Sequence, residues 1–222
     1  MPFTALFIDL DDTIYPNTSG LWGAIRERMT LFMHERLGLS PEVTPELRRS
    51  YVDNYGTTLR GLQIHYQVDP WEFLAYVHDL PLEVYLQPDP YLPVILSSLP
   101  QPKWILTNAD AGHASRVLAY FGITRLFSGV IDIHALGYVC KPEVEAYQRA
   151  LALAGETDPT TCVFFDDSVR NLSPARHLGL TTVLVGSDEP DPTANYSISS
   201  LKDLPIAFPQ LWNTLPEPER RS

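Results

Sequence analysis

Apolar positions along this chain fall into two alternating rhythms. Short unbroken runs such as Leu6-Phe7-Ile8, Trp104-Ile105-Leu106 and Val163-Phe164-Phe165 are what a strand carries when both its faces are covered. Between them lie stretches with apolar residues three and four apart. Leu21, Ile25, Met29, Phe32 and Met33 lead up to Gly38, and Leu47, Tyr51 and Tyr55 lead up to Gly56. That spacing lines one face of a helix, and the glycines are stop signals. Strands alternating with helices predict an α/β fold on a parallel sheet.

The region 21–86 reads as helical throughout. Helix signals recur at Ser40-Pro41 and Thr44-Pro45, over 59–66, and from Asp69-Pro70 through Trp71, Leu74 and Tyr76. No strand is predicted before Gln87-Pro88-Asp89-Pro90. Beyond it the spacing predicts a helix over 91–99, a strand over 103–107, a helix over 111–121 and a strand over 129–133. A helix opened by Pro142 and stopped at Gly155 follows, then a strand over 162–165, a helix over 171–178 and a strand over 181–185. Tyr196-Ser197-Ile198 predicts an edge strand, with a short helix near Leu201 and a proline-rich tail expected to fray. A helical block set into an α/β core reads as a lid. The expected division is a core of 1–16 and 88–222 and a helical cap of 17–87.

The three apolar runs end in polar residues: Asp9 and Asp11, Thr107-Asn108, and Asp166-Asp167. Open α/β sheets bind ligands beyond the carboxyl ends of their strands. Singly, these are weak signals, because acids after a strand are commonly turn residues or helix caps. Together with Lys141-Pro142, and in the order Asp9-x-Asp11-x-Thr13, Thr107, Lys141, Asp166-Asp167, they resemble the four motifs of the haloacid dehalogenase-like (HAD) phosphohydrolase superfamily. The resemblance covers nearly the whole chain. It implies a Rossmann-like parallel core with an inserted helical cap of the C1 type.

What the resemblance implies about chemistry follows residue by residue. Asp9 would be a carboxylate nucleophile and Asp11 the acid and base for the leaving group and the water. Thr107 and the backbone amide of Asn108 would hold phosphate oxygens, and Lys141 would neutralise charge. Mg²⁺ would be held by Asp9, the backbone carbonyl of Asp11, and Asp166, with Asp167 beside them as an outer partner or an alternative ligand. Asn171 would steady that shell. The segment Tyr55-Gly-Thr-Thr-Leu-Arg-Gly-Leu62, with His78-Asp79 and the exit through Pro88, resembles the cap of pyrimidine 5′-nucleotidases. That narrower likeness points to UMP and CMP, with Tyr55, Thr58 and Arg60 reaching ribose or base.

Composition adds limits. The 222 residues, 45% of them hydrophobic, suffice for one sizeable core plus an inserted subdomain. A net charge of −11 argues against a nucleic-acid partner. It also obliges a phosphatase to place a cation between its own carboxylates and an anionic substrate, as like charges about 4 Å apart repel by roughly 4 kcal/mol at an effective dielectric near 20. No apolar stretch approaches the roughly 20 residues that span a bilayer. With no basic leader and only two cysteines, Cys140 and Cys162, a cytoplasmic protein is expected. The histidines show no ligand spacing; His113, one turn past Thr107, is within reach of the site, but a helix surface is its expected place. The cap aromatics are expected in the core. Phosphoglycolate- and sugar-phosphate-type phosphatases share every catalytic motif. A haloacid dehalogenase needs neither an acid at Asp11 nor the Asp166-Asp167 pair, and a receiver domain carries its lysine last and has no helical insertion.

Overall fold

Parallel pairing of the apolar runs builds a single sheet in a computed structural model that describes residues 2–213. Its strands are β1 (Ala5–Ile8), β2 (Lys103–Leu106), β3 (Gly129–Ile131), β4 (Cys162–Asp166), β5 (Thr181–Val185) and β6 (Tyr196–Ile198). They lie in the order β3-β2-β1-β4-β5-β6, every neighbouring pair parallel. Side chains alternate between two cores. Leu6 and Ile8 pack with Val163 and Phe165 on one face, and Ala5 and Phe7 with Cys162 and Phe164 on the other. All eight are at most 1% exposed, which is why these runs carry no polar alternation.

Five helices lie between β1 and β2 before the helix that leads into β2. They are α1 (Leu21–Leu37), α2 (Thr44–Tyr55), α3 (Thr58–Tyr66), α4 (Pro70–His78) and α5 (Leu82–Tyr85). Gly38 closes α1 in the left-handed region, with its N–H on the carbonyl of His34. Asp69 caps α4 by accepting from the N–H groups of Trp71 and Glu72. Of the remaining α-helices, α6 (Tyr91–Ser98), α7 (Ala111–Tyr120), α8 (Val144–Ala154) and α9 (Val169–His177) alternate with β2 to β5, and α10 (Leu204–Ala207) follows β6. The expected helix at Pro142 begins two residues later, at Val144, and the Lys141–Pro142 peptide is cis. The proline-rich tail lies outside the described residues.

The sheet order reverses direction between β1 and β4. The crevice for a ligand in such a sheet opens outside the carboxyl ends at that point. Asp9 and Asp166 leave the sheet there side by side, and the N–H of Asp9 still bonds the carbonyl of Phe165 at 2.9 Å.

Candidate active site

The backbone after β1 aims two carboxylates at one spot. Asp9 is held by the last ladder bond, and Asp12 adopts φ 60°, a left-handed turn that aspartate tolerates. The turn closes with the N–H of Ile14 on the carbonyl of Leu10 at 2.9 Å. Asp9 and Asp11, two residues apart, therefore both line one cavity.

Lys141 lies beneath Asp9. Its Nζ donates to Asp9 Oδ1 at 2.6 Å and to Asp166 Oδ2 at 2.8 Å. The Asn108 side chain fixes that lysine by its backbone, accepting from the Lys141 N–H at 2.9 Å and donating to its carbonyl at 3.0 Å. Thr107 is buried at the end of β2, its hydroxyl accepting from the N–H of Ala109. Asp166 is wholly buried and takes further bonds from the N–H of Ser168 and the Asn171 amide. Burial, with Asp166 and Asp167 adding to it, pushes the Asp9 carboxyl well above its usual range in spite of Lys141. Burial and Asp166 likewise raise Asp167 to about 7. Lys141, against the cost of burial, is held charged by Asp166 and Asp9.

Asp11 is set differently. Its Oδ1 accepts from His113 Nε2 at 2.8 Å and from the Tyr15 hydroxyl. Burial alone would raise this carboxyl, but His113 and Tyr15 bring it down to about 2. His113 is 2% exposed, so the expectation of a helix-surface histidine is wrong. Asp110 caps α7 by accepting from the His113 N–H, and the His113 ring in that first turn faces Asp11 rather than solvent.

The cavity measures about 450 Å³. Asp9, Asp11, Asp12, Lys141 and Asp167 line it from the strand ends and the loops beside them, and Arg26 from α1 and Arg48 and Arg49 from α2 line it from the helical block. Arg170, at the start of α9, also lines it and donates to the Val52 carbonyl of α2 at 2.6 Å. Arg48 Nε is buried without a hydrogen-bond partner, and burial together with Arg26 lowers its pKa.

Thr58 reaches the cavity, but Tyr55 and Arg60 do not line it. The Thr57 hydroxyl accepts from the Arg60 N–H and starts α3 with Thr58, Leu59, Gly61 and Leu62 inward, leaving Arg60 on the exposed face. The Tyr55 hydroxyl is engaged with His65 Nε2 at 2.9 Å. Tyr51, among the cap aromatics, is buried as expected, whereas Trp71 is 65% exposed and stacks on His134 at 3.7 Å. The cavity arginines and the role of Tyr15 escaped the sequence reading, and His113, set there on a helix surface in preference to the site, belongs to the site. The spacing Asp110-x-x-His113 just past a motif strand was the available signal.

Divalent-cation donors are present in the right chemical class. Carboxylate oxygens of Asp9, Asp166 and Asp167 lie within 4.8 Å of one another, hard oxygen donors of the kind Mg²⁺ takes. The Asp9 and Asp167 carboxyls are raised by burial and by the acids packed beside them.

Among known proteins, residues 3–179 match the family described as "Hydrolase: haloacid dehalogenase-like hydrolase". Phosphate metabolism protein 8 of Saccharomyces cerevisiae is 28% identical over 192 residues, covering 80% of this chain. The chain spans 60% of the length of that relative. The structure of a HAD phosphatase from Thermococcus onnurineus superposes with a TM-score of 0.62 at 21% identity, over 91% of this chain and 96% of that one. A HAD hydrolase of Bacillus subtilis, bound to magnesium, gives 0.61 at 16% over 92% and 98%. L-2-haloacid dehalogenase of Xanthobacter autotrophicus with chloropropionic acid covalently bound gives 0.57 at 17% over 91% and 97%. Among the described residues no helix is long and apolar enough to cross a membrane.

Proposed function

The chain belongs to the haloacid dehalogenase-like hydrolase family, and on that premise we propose that it is a Mg²⁺-dependent phosphatase acting on nucleoside 5′-monophosphates, UMP and CMP first. The observation that carries this reading is the opposite treatment of two carboxylates in one site. Asp9 lies against Lys141 and two further acids, and Asp11 lies against His113 and Tyr15. Environments that drive neighbouring acids apart mark a division of roles.

In the first half-reaction a carboxylate oxygen of Asp9 bonds to phosphorus as the bond to the ester oxygen breaks, and Asp11 gives that oxygen its proton. The anionic phosphoryl group drawn in beside Asp11 raises its proton affinity for this step. In the second half, water loses a proton to Asp11 and attacks the aspartyl-phosphate, releasing phosphate and restoring Asp9. The ionised Asp11 of the resting site is the form this half requires. Thr107 and the Asn108 amide hold phosphoryl oxygens, while Lys141 balances charge on Asp9 and the group in transit. Asp9, Asp166, the Asp11 carbonyl and Asp167 are the residues to hold Mg²⁺, which supplies the charge that keeps the acids ionised and screens the phosphate.

The helical block, 17–87, works as a cap over a core of 1–16 and 88–222. Its cavity of about 450 Å³ falls in the range of roughly 300–1,000 Å³ that encloses a drug-sized ligand, room to spare for a two-carbon acid. Thr58 and the cavity arginines face it with donors for ribose and base oxygens.

Phosphate release from UMP, CMP, AMP, GMP, phosphoglycolate and a sugar phosphate, with Mg²⁺ and with chelator, tests this reading. Metal-dependent preference for UMP and CMP is expected. Preference for phosphoglycolate or the sugar phosphate sinks the nucleotide and keeps the chemistry. Halide release from 2-chloropropionate that survives chelation returns the chain to the dehalogenases.

A further inference from the structure

Both donors to Asp11 end on the same oxygen. His113 Nε2 and the Tyr15 hydroxyl meet Oδ1, and no hydrogen bond from the described residues reaches Oδ2. The proton Asp11 lends must therefore ride on Oδ2, and the tilt of Oδ2 toward the ester oxygen is fixed by what grips Oδ1. Tyr15 belongs to the turn that carries Asp11 and moves with it. His113 stands on α7 and provides the outside reference.

His113 is in turn held by the helical insertion. The ring of His78, the last residue of α4, lies on the His113 ring at 4.3 Å between centroids and 13° between planes. His78 Nδ1 meets Asp110 Oδ2 at 2.5 Å, while Asp110 Oδ1 caps α7 through the His113 N–H at 3.0 Å. Asp110 thus grips with one oxygen the helix bearing His113 and with the other the ring packed on it. Arg116, one turn further along α7, donates to the carbonyls of His78 and Leu80. His78 and His113 are 6% and 2% exposed, so the stack is dry.

We propose that His113 is the positioning residue for Asp11, and that His78 makes this positioning depend on the insertion being seated on the core. The inference rests on the phosphatase reading in that it takes Asp11 as the proton donor. With α4 lifted, His113 loses its stacking partner and Asp110 loses one of its two tasks, so Oδ2 is free to swing off line. A misaligned acid slows departure of a poor leaving group and hardly matters for a good one, which departs without a proton.

The test compares kcat/KM for p-nitrophenyl phosphate with kcat/KM for benzyl phosphate in the full chain with Mg²⁺, because this constant covers the steps up to leaving-group departure and not the hydrolysis of the aspartyl-phosphate that both esters share. The two esters are alike in size and differ in leaving-group basicity. The ratio within one preparation is independent of the folded fraction. Asp11→Asn calibrates it. General acid catalysis contributes on the order of 10²–10⁴-fold, so Asp11→Asn should move the ratio by about 100-fold or more toward the nitrophenyl ester. His113→Phe, which keeps the stack and removes the donor, is expected to move it roughly 30-fold the same way, and His113→Gln to restore part of it. His78→Ala, which leaves the bond from His113 to Asp11 intact, should move it by about 5-fold. An unchanged ratio in His113→Phe beside a shifted one in Asp11→Asn overturns the positioning role alone. An unchanged ratio in His78→Ala removes the dependence on the insertion. An unchanged ratio in Asp11→Asn overturns the acid reading on which the rest stands.

Discussion

Replacing Lys141 with Met removes the Nζ from between Asp9 and Asp166 and keeps an unbranched side chain of similar reach. Lys141 and Asp166 are 2% and 0% exposed at the side chain, and the lost contacts are 2.6 and 2.8 Å. At an effective dielectric near 20, unit charges at such distances attract by roughly 6 kcal/mol per contact. Removing these ions from water costs several kcal/mol each and cancels much of that attraction. What remains for Lys141→Met is the penalty of orphaning buried charge, about 3–5 kcal/mol.

Urea denaturation of the metal-free proteins near neutral pH measures it, as a fall in midpoint at unchanged m. The pH dependence gives a second reading with a definite sign. Without the lysine, which lowers the already raised Asp9 carboxyl, Asp9 binds its proton more tightly in the folded state. A carboxyl whose folded pKa is raised contributes stability that is fully present below its unfolded pKa and is lost as pH rises through the folded one. The deficit of the variant should therefore shrink as pH falls from about 8 to about 5. Turnover of the metal-loaded variant should drop by roughly 10²–10³-fold. A deficit under about 1 kcal/mol, or one that does not change with pH, would refute the picture of a lysine offsetting two buried acids.

Three further outcomes are expected. Gly56 has φ +88°, and a Cβ there would lie 2.5 Å from Cys140 Sγ; Gly56→Ala should cost about 1–3 kcal/mol in a thermal or urea melt, and no loss would show that the α2–α3 turn moves freely off the core. Arg48 lines the cavity with its Nε unpartnered, so Arg48→Ala should raise KM for UMP by about 10-fold and leave p-nitrophenyl phosphate within about 2-fold, with equal effects on both removing its role in recognition. Asp167, raised to about 7 by burial and Asp166, contributes stability present below its unfolded pKa and lost as pH rises through 7. The melting temperature in chelator should accordingly fall from about pH 5 to about pH 8, and Mg²⁺ should recover it; a chelator curve flat over that window would contradict the assignment.

The sheet was legible because a strand buried on both faces admits few other readings, and Phe7, Phe164 and Phe165 show the pattern plainly. Strand ends were legible for the same reason: a charge cannot continue such a run, so Asp9 and Asp166 had to sit where the chain leaves the core. Rotation of the insertion helices was not legible. Thr58 and Arg60 are two positions apart on α3, some 200° around the helix, and periodicity alone does not say which faces the cavity. The deciding contact is Gly61 against the Tyr51 ring, where a Cβ would come within 2.2 Å. That close approach turns Thr58 in and Arg60 out. His113 fell to the same ambiguity, since its direction depends on a cap and on a stacking partner 35 residues away in sequence.

The two acids also differ in what holds them, and the difference has a mechanistic consequence. Every partner of Asp9 comes from the β-strand ends or the loops beside them: Lys141 clamped by Asn108, and Asp166 clamped by Ser168 and Asn171. That half of the site takes none of its direct hydrogen bonds from α1–α5, although Cys140, next to Lys141, donates its Sγ–H to the Tyr55 carbonyl. The external partner of Asp11 leans on His78, a residue of the insertion. On the phosphatase reading, core residues make the hydrogen bonds to the nucleophile and the insertion adds its hold on the acid. A small anion that drifts in without drawing the insertion down meets a nucleophile with no aligned proton donor, and an ester with a poor leaving group then stays intact. On that reading, selectivity comes from the cost of assembling the acid as well as from the fit of the cavity, and a ligand that also contacts Arg48 and Arg26, which line the cavity from the insertion, gains by seating it.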